Sequence, residues 1–203
     1  MHDVAESPET IRDFWFGWEP ADADVASAKS DLWWSKEPAT DRLMRKRFGS
    51  SVGAAAQGRL DAWSETPGGR LALILLTDQF PRNAYRGTRR AFAYDGKARS
   101  WCRSGLRQGV DASLRPIERV FFYMPLQHSE NPVDQEASVL LFEKLARQAP
   151  EAARSLFETY LAYAVRHREI IDRFARFPHR NAILGRRSTA DEVEFLKQPG
   201  SSF

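Results

Sequence analysis

Apolar residues recur along this chain at intervals of three and four, and most runs begin just after a proline or a small polar residue. That period lines one face of a helix. Ser7 and Pro8 stand as N-cap and first residue of a short helix, "PETIRDFWF", which Gly17 ends. The following stretch, rich in Ala and Asp and running to Trp33, Trp34 and Pro38, predicts a looser region. Met44, Phe48, Val52 and Ala55 then trace an amphipathic helix that begins near Thr40 and Asp41. Thr66 and Pro67 open "LALILL" (71–76), where a single β-branched residue, Ile74, favours a buried helix over a strand, with its end expected at Pro81.

The second half continues the pattern. Ala98, Trp101, Cys102 and Leu106 mark a helix closed by Gly109. Pro116 starts "PIERVFFYM", and Pro125 is expected to halt it. Asn131 and Pro132 open a helix whose expected apolar face is Val133, Ala137, Leu140, Leu141 and Leu145. Pro150 opens the longest helix, to about Arg176, with Phe157, Tyr160, Leu161, Ala164, His167, Ile171 and Phe174 on one face. Ser188 and Thr189 with Asp191 and Glu192 offer a capping box for "DEVEFL". No segment alternates with period two. The prediction is an all-α fold of antiparallel neighbours, either a bundle or a solenoid of helical hairpins, and no clean 34-residue repeat decides between them.

Composition changes this picture little. The 203 residues are expected to form a single helical domain, looser over 1–38 and with a tail at 198–203. No apolar run approaches the ~20 residues of a membrane span, and residues 1–10 do not resemble a secretory leader. One cysteine, Cys102, fits a reducing compartment, so a cytoplasmic location is expected. Charge is more informative. Between Arg82 and Arg107 eight basic residues face one acid, Asp95. Arg99, Arg103 and Arg107 would form a stripe on a helix, able to attract nucleic acid. The alternative is a solvated face in a protein that uses 24 Arg to 6 Lys. The solvated face is the expectation, and nucleic acid is not an expected partner.

Chemistry is suggested by polar groups that break the apolar pattern. Asp78 follows "LALILLT" in what would be the last turn of a helix, where the dipole disfavours a carboxylate by roughly 0.3–1 kcal/mol; Arg82 or Arg86 is the expected compensation. His128 and Glu130 lie between a helix end and the cap at Asn131, and His167 falls on an apolar face, where a satisfied core histidine is the ordinary case. The segments "QFPRN" (79–83) and "RFPHRN" (176–181) echo each other after buried helices. If they face one cleft, they form a ligand site from Asp78, Gln79, Arg82, Asn83, His128, Glu130, His179, Arg180 and Asn181. Guanidinium groups there would take an anionic or amide-bearing molecule. His128, His179 and Asp78 are the catalytic candidates. No metal site is expected, since neither HExxH nor paired Cys or His spacing occurs. Nor is a cofactor, since no glycine-rich phosphate loop is present. Cys102 lies on an apolar face, and Ser129 lacks nucleophile-elbow glycines.

The ordered series "FWFG" (14–17), "LALILLTDQFPRN" (71–83), "FYMPLQHSE" (122–130) and "RFPHRNAILGR" (176–186) resembles a bacterial family catalogued as domain of unknown function 924. The resemblance covers nearly the whole chain. It implies an all-helical, tetratricopeptide-like fold, a right-handed array of helical hairpins, and no established activity or catalytic residue. Two positions depart from the family pattern, Thr77 in place of leucine and Ala175 in place of glycine. Two functions follow as expectations: a pocket for a small polar or anionic molecule, with enzymatic action left open, or a module that grips a peptide or protein partner while the polar groups serve as helix-end clasps.

Overall fold

A computed structural model describes residues 6–202. The expectations for the first five residues and for Phe203 at the end of the tail lie outside the described residues. The described residues form eleven α-helices and four short 3-10 turns. The helices are α1 (Pro8–Phe16), α2 (Asp22–Trp34), α3 (Pro38–Ala56), α4 (Pro67–Thr77), α5 (Gln79–Ala84), α6 (Asp95–Gln108), α7 (Pro116–Gln127), α8 (Pro132–Gln148), α9 (Glu151–Phe174), α10 (Asn181–Leu184) and α11 (Ala190–Phe195). The protein is all-α. No helix among the described residues is long and apolar enough to cross a membrane.

Helix α4 is the centre of the fold. Every residue from Gly69 to Thr77 is buried, and α1, α3, α6 and α7 pack around it. A helix covered on all sides has no need of an amphipathic stripe, which explains the unbroken apolar run. Thr77 is accommodated there because its hydroxyl donates to the Leu73 carbonyl at 2.6 Å. Helix α6 approaches closely through Gly105, where a Cβ would lie 2.5 Å from the Phe122 ring and 2.8 Å from the Arg70 side chain. Aromatic residues fill the space beside α4: Trp15 packs against Trp33, Phe80 and Phe121 at ring separations of 6.3, 5.3 and 5.5 Å. At the other end α8 and α9, joined only by Ala149 and Pro150, lie against each other as a hairpin.

Four local expectations need correction. Residues 22–34 are a helix, not a loose region. Asp22 and Asp24 suit its N-terminus, and just two buried residues, Val25 and Trp33, anchor it. Helix α3 begins earlier than expected, with Pro38 as its first residue. Pro81 does not end the helix that begins at Pro67. The chain breaks at Asp78, and Pro81 becomes the third residue of α5, where a missing N–H leaves no partner unsatisfied. Pro125 likewise lies inside α7, in its final turn.

The face of α8 also differs from the apolar pattern. Asp134, Gln135 and Ser138 are buried with Val139, Phe142, Leu145 and Ala146, while Val133 and Leu140 are 70% and 59% exposed. The end of α7 explains this choice. Its last carbonyls have no helical partners, and Gln135 donates to the carbonyls of Gln127 and Ser129 at 2.7 and 2.6 Å. Satisfying buried acceptors outweighs burying two more aliphatic side chains.

Helix α9 ends at Ala175, which adopts φ 56° and ψ 9°. It is the sole non-glycine residue with positive φ among the described residues. A left-handed conformation is costly for a residue with a Cβ. Ala175→Gly should therefore raise stability by about 1 kcal/mol, or roughly 2–4 °C in Tm, even though glycine adds freedom to the unfolded chain. Thermal unfolding of the two proteins checks this, and a drop in Tm would refute it.

Candidate functional site

The break between α4 and α5 places Asp78 at a corner, with its backbone N–H still bonded to the Ile74 carbonyl at 2.8 Å. Its side chain is wholly buried. Arg82, one turn later, reaches back to it, with Nη1 2.6 Å from the Asp78 carbonyl oxygen and 3.1 Å from Oδ1. His128, which closes α7, brings Nδ1 to 2.9 and 3.0 Å from the two carboxylate oxygens. Gln79 donates to the same carboxylate from behind and touches the Met124 sulfur at 3.4 Å. Burial alone would raise the Asp78 carboxyl, but the Arg82 charge and the hydrogen bonds hold it well below the usual range.

His128 is pushed the other way. Burial, and then the Arg82 charge, lower its pKa despite the carboxylate beside it. The contact is therefore a carboxylate accepting from a neutral imidazole, because Arg82 already supplies the opposing charge. Only Nδ1 faces Asp78, so Nδ1 carries the proton and Nε2 keeps its lone pair.

The two echoed segments meet at a residue absent from the expected set. Arg82 donates to Asp95 through both Nη atoms, at 3.0 and 3.1 Å. Arg180 reaches the same carboxylate at 3.4 Å. Its guanidinium lies between two phenyl rings, 4.8 Å from the Phe92 centroid and 4.5 Å from that of Phe177. Arg180 is only 6% exposed, and its Nε is buried with no hydrogen-bond partner among the described residues. Burial, and then repulsion from Arg82, lower its pKa to about 10, so it stays charged at neutral pH.

In front of these groups lies an open cleft of about 430 Å³, lined by Arg99, His128, Ser129, Glu130, Asn131, Pro132 and Arg180. The N-terminus of α8 forms one wall, and Asn131 caps it by accepting from the Val133 N–H at 2.8 Å. Glu130 is held in place: Arg186 donates to both of its oxygens, at 2.7 and 2.9 Å, and the Phe177 N–H adds a bond of 2.8 Å. Although burial acts to raise its pKa, these donors bring it below the ordinary value. Around the cleft, Arg82, Arg99, Arg103, Arg180 and Arg186 are set against Asp78, Asp95, Asp134 and Glu130, so positive charge is in excess.

Of the expected residues, Asp78, Arg82, His128, Glu130 and Arg180 come together here, with Gln79 behind Asp78. His179 packs against Phe177 at 5.7 Å between ring centroids; burial, and then Arg180, lower its pKa to about 3. Two asparagines do not join them. Asn83 donates to the Leu32 carbonyl at 3.4 Å and ties α2 to α5. Asn181 donates to Ser188 and Glu192 and accepts from Arg186. His167 is buried, with Nδ1 2.7 Å from the Tyr163 carbonyl and its ring 6.1 Å from that of His128. Asp95, Arg99 and Arg186 were missed. Asp95 had a signal, as the single acid within the basic run.

The basic stripe is largely engaged. Arg103 binds Asp134 through Nε and Nη2, and Arg99 lies 3.8 Å from the same carboxylate. A second open pocket, about 490 Å³, lies between the end of α9 and α11. Of its charged residues, Arg176 and Glu192 pair with each other through bonds of 2.6 and 2.7 Å, and Arg173 lies over the Phe174 and Phe195 rings. No cluster of three His, Cys, Asp or Glu able to hold a metal ion occurs among the described residues.

A family model described as a bacterial protein of unknown function, domain of unknown function 924, matches residues 11–200. The chain belongs to this family. A solved structure similar to this member of family 924 is that of ATU0120, a protein of unknown function from Agrobacterium tumefaciens. The two are 37% identical, with a TM-score of 0.79 over 94% of this chain and 96% of the other. No curated protein matches the chain. The description of family 924 assigns no function.

Proposed function

We propose that this protein binds a small anionic molecule, through a phosphate or carboxylate group, in the cleft at the start of α8. Arg180 is the observation that carries the proposal. A guanidinium brought so far from water normally has a full set of acceptors. This one shares a carboxylate already held by Arg82, keeps a buried N–H without a partner and borders the cleft. An oxyanion would complete its hydrogen bonds, helped by Arg99 and the positive end of α8.

Arg180→Met tests the idea, because methionine fills the space between the two rings while Asp95 retains Arg82. Inorganic phosphate at 100 times its Kd should stabilise the wild type by about 2.7 kcal/mol. The variant should lose that response while being as stable as the wild type in the absence of phosphate, or more so. Equal phosphate shifts in both proteins, or none in the wild type, would sink the proposal.

A second reading has its own support. The outward Val133 and Leu140 give α8 an exposed apolar edge, and the paired helices suit a tetratricopeptide-like array that grips a peptide. On that reading Val133→Ser with Leu140→Ser abolishes binding of any peptide ligand selected against the wild type. Undiminished binding would exclude this edge.

A further inference from the structure

We propose that the cleft hydrolyses a small phosphate monoester, with His128 Nε2 as general base and Asp78 as its positioning residue. The inference rests on the anion site proposed above and adds a reaction to it. The first support is orientation. Asp78 accepts from Nδ1 through both oxygens, which fixes the ring and leaves Nε2 as the basic atom. No hydrogen bond to Nε2 is made among the described residues, and His128 borders the cleft.

The second support is economy of space. Arg99, Arg180 and His128 line one polar cleft of about 430 Å³. A carboxylate-bearing substrate would need one subsite for its charge and another for the reacting bond. In a phosphate monoester the charged group is itself the reacting centre, so a single subsite holds the dianion and presents it to the base. Guanidinium groups also match the charge spread over the phosphoryl oxygens.

The step is complete with water as co-reactant. His128 Nε2 takes a proton from a water molecule as that water's oxygen bonds to phosphorus. The bond from phosphorus to the ester oxygen breaks, and its electron pair leaves on the alcohol oxygen. That oxygen, on the far side of phosphorus in an in-line displacement, takes a proton from solvent in the open cleft, and the imidazolium returns its own to solvent, leaving alcohol and inorganic phosphate.

The experiment combines p-nitrophenyl phosphate hydrolysis with phosphate binding in the wild type and His128→Asn. The asparagine amide can replace Nδ1–H toward Asp78, and only the base is lost. The expected result is turnover by the wild type, a loss of about 100-fold or more in the variant, and phosphate binding kept by both. Absence of wild-type turnover overturns the hydrolase proposal while bound phosphate leaves the anion site standing. Absence of phosphate binding overturns both. Equal turnover in the variant also overturns the base. Should His128→Asn fail to fold, diethyl pyrocarbonate on the native protein replaces it. Modification of His128 that phosphate blocks and that removes turnover supports the proposal, and modification without loss of turnover refutes it.

Discussion

Asp78→Asn should lower the free energy of unfolding by about 3–5 kcal/mol, the usual cost of breaking a buried charge pair by removing one partner. The change is nearly isosteric, so packing is preserved. The loss arises because Arg82 keeps its charge inside the protein and His128 loses an ionised acceptor. Asp95 still holds Arg82, which places the expectation at the lower end of the range. The dependence on pH has a definite sign. Folding holds the Asp78 carboxyl below its ordinary value, so its stabilisation is fully present above the unfolded pKa of about 3.9 and is lost as pH falls through the folded pKa. The gap between wild type and variant should therefore be widest near neutrality and shrink below about pH 4. Urea unfolding at pH 7, with an unchanged slope, measures it. A loss under about 1 kcal/mol would mean that the carboxylate is not a structural clasp.

Asp95→Asn should be comparably damaging, at about 3–5 kcal/mol. This carboxylate serves two guanidiniums. Without it Arg82 falls back on Asp78, but Arg180 loses the one carboxylate it hydrogen-bonds and faces Arg82 between two phenyl rings, with Glu130 and Asp78 acting only at longer range. Because Asp78 and Asp95 share Arg82, the double variant should not show the sum of the two losses. If Arg180 is an anion site, phosphate should restore more stability to Asp95→Asn than it adds to the wild type, since it supplies the missing negative charge. Urea titrations with and without phosphate decide this. A loss that phosphate leaves untouched would make Asp95 purely structural and would count against the anion site.

Periodicity revealed the all-α fold because helices α1, α4, α6, α8 and α11 carry strong local signals, a cap at one end or glycine just beyond, and α9 a long apolar face behind Pro150. It failed where distant contacts decide. Helix α2 is anchored by Val25 and Trp33, too widely spaced to register as a stripe. Pro81 and Pro125 read as stops, yet a proline in the first turn of a helix costs no hydrogen bond, and the buried α7 tolerates the one that Pro125 removes. The face of α8 was misjudged because buried polar side chains there serve the open end of α7, a demand made by another element. Within the site the echo of "QFPRN" and "RFPHRN" was legible, and the two arginines do meet. Asn83 and Asn181 shared the echo but bond neighbouring chain instead. Asp95 was visible as a lone acid among bases, but its role depends on two segments separated by nearly 100 residues. Nothing in the linear pattern brings those segments to it.

The apolar core has a consequence for the cleft. Ile170, Ile171, Phe177 and Phe195 form a small cluster apart from the main one. Arg180 belongs to the segment it supports, which polar ties such as Glu130–Arg186 fasten to the body. Asp78 and His128 instead sit at the ends of helices that belong to the large core. The two halves of the cleft therefore rest on parts of unequal resistance to local opening. Fluctuation of the smaller part would withdraw Arg180 and leave the Asp78–His128 pair assembled, so that the proposed capture of an anion and the proposed chemistry of the histidine would be mechanically separable.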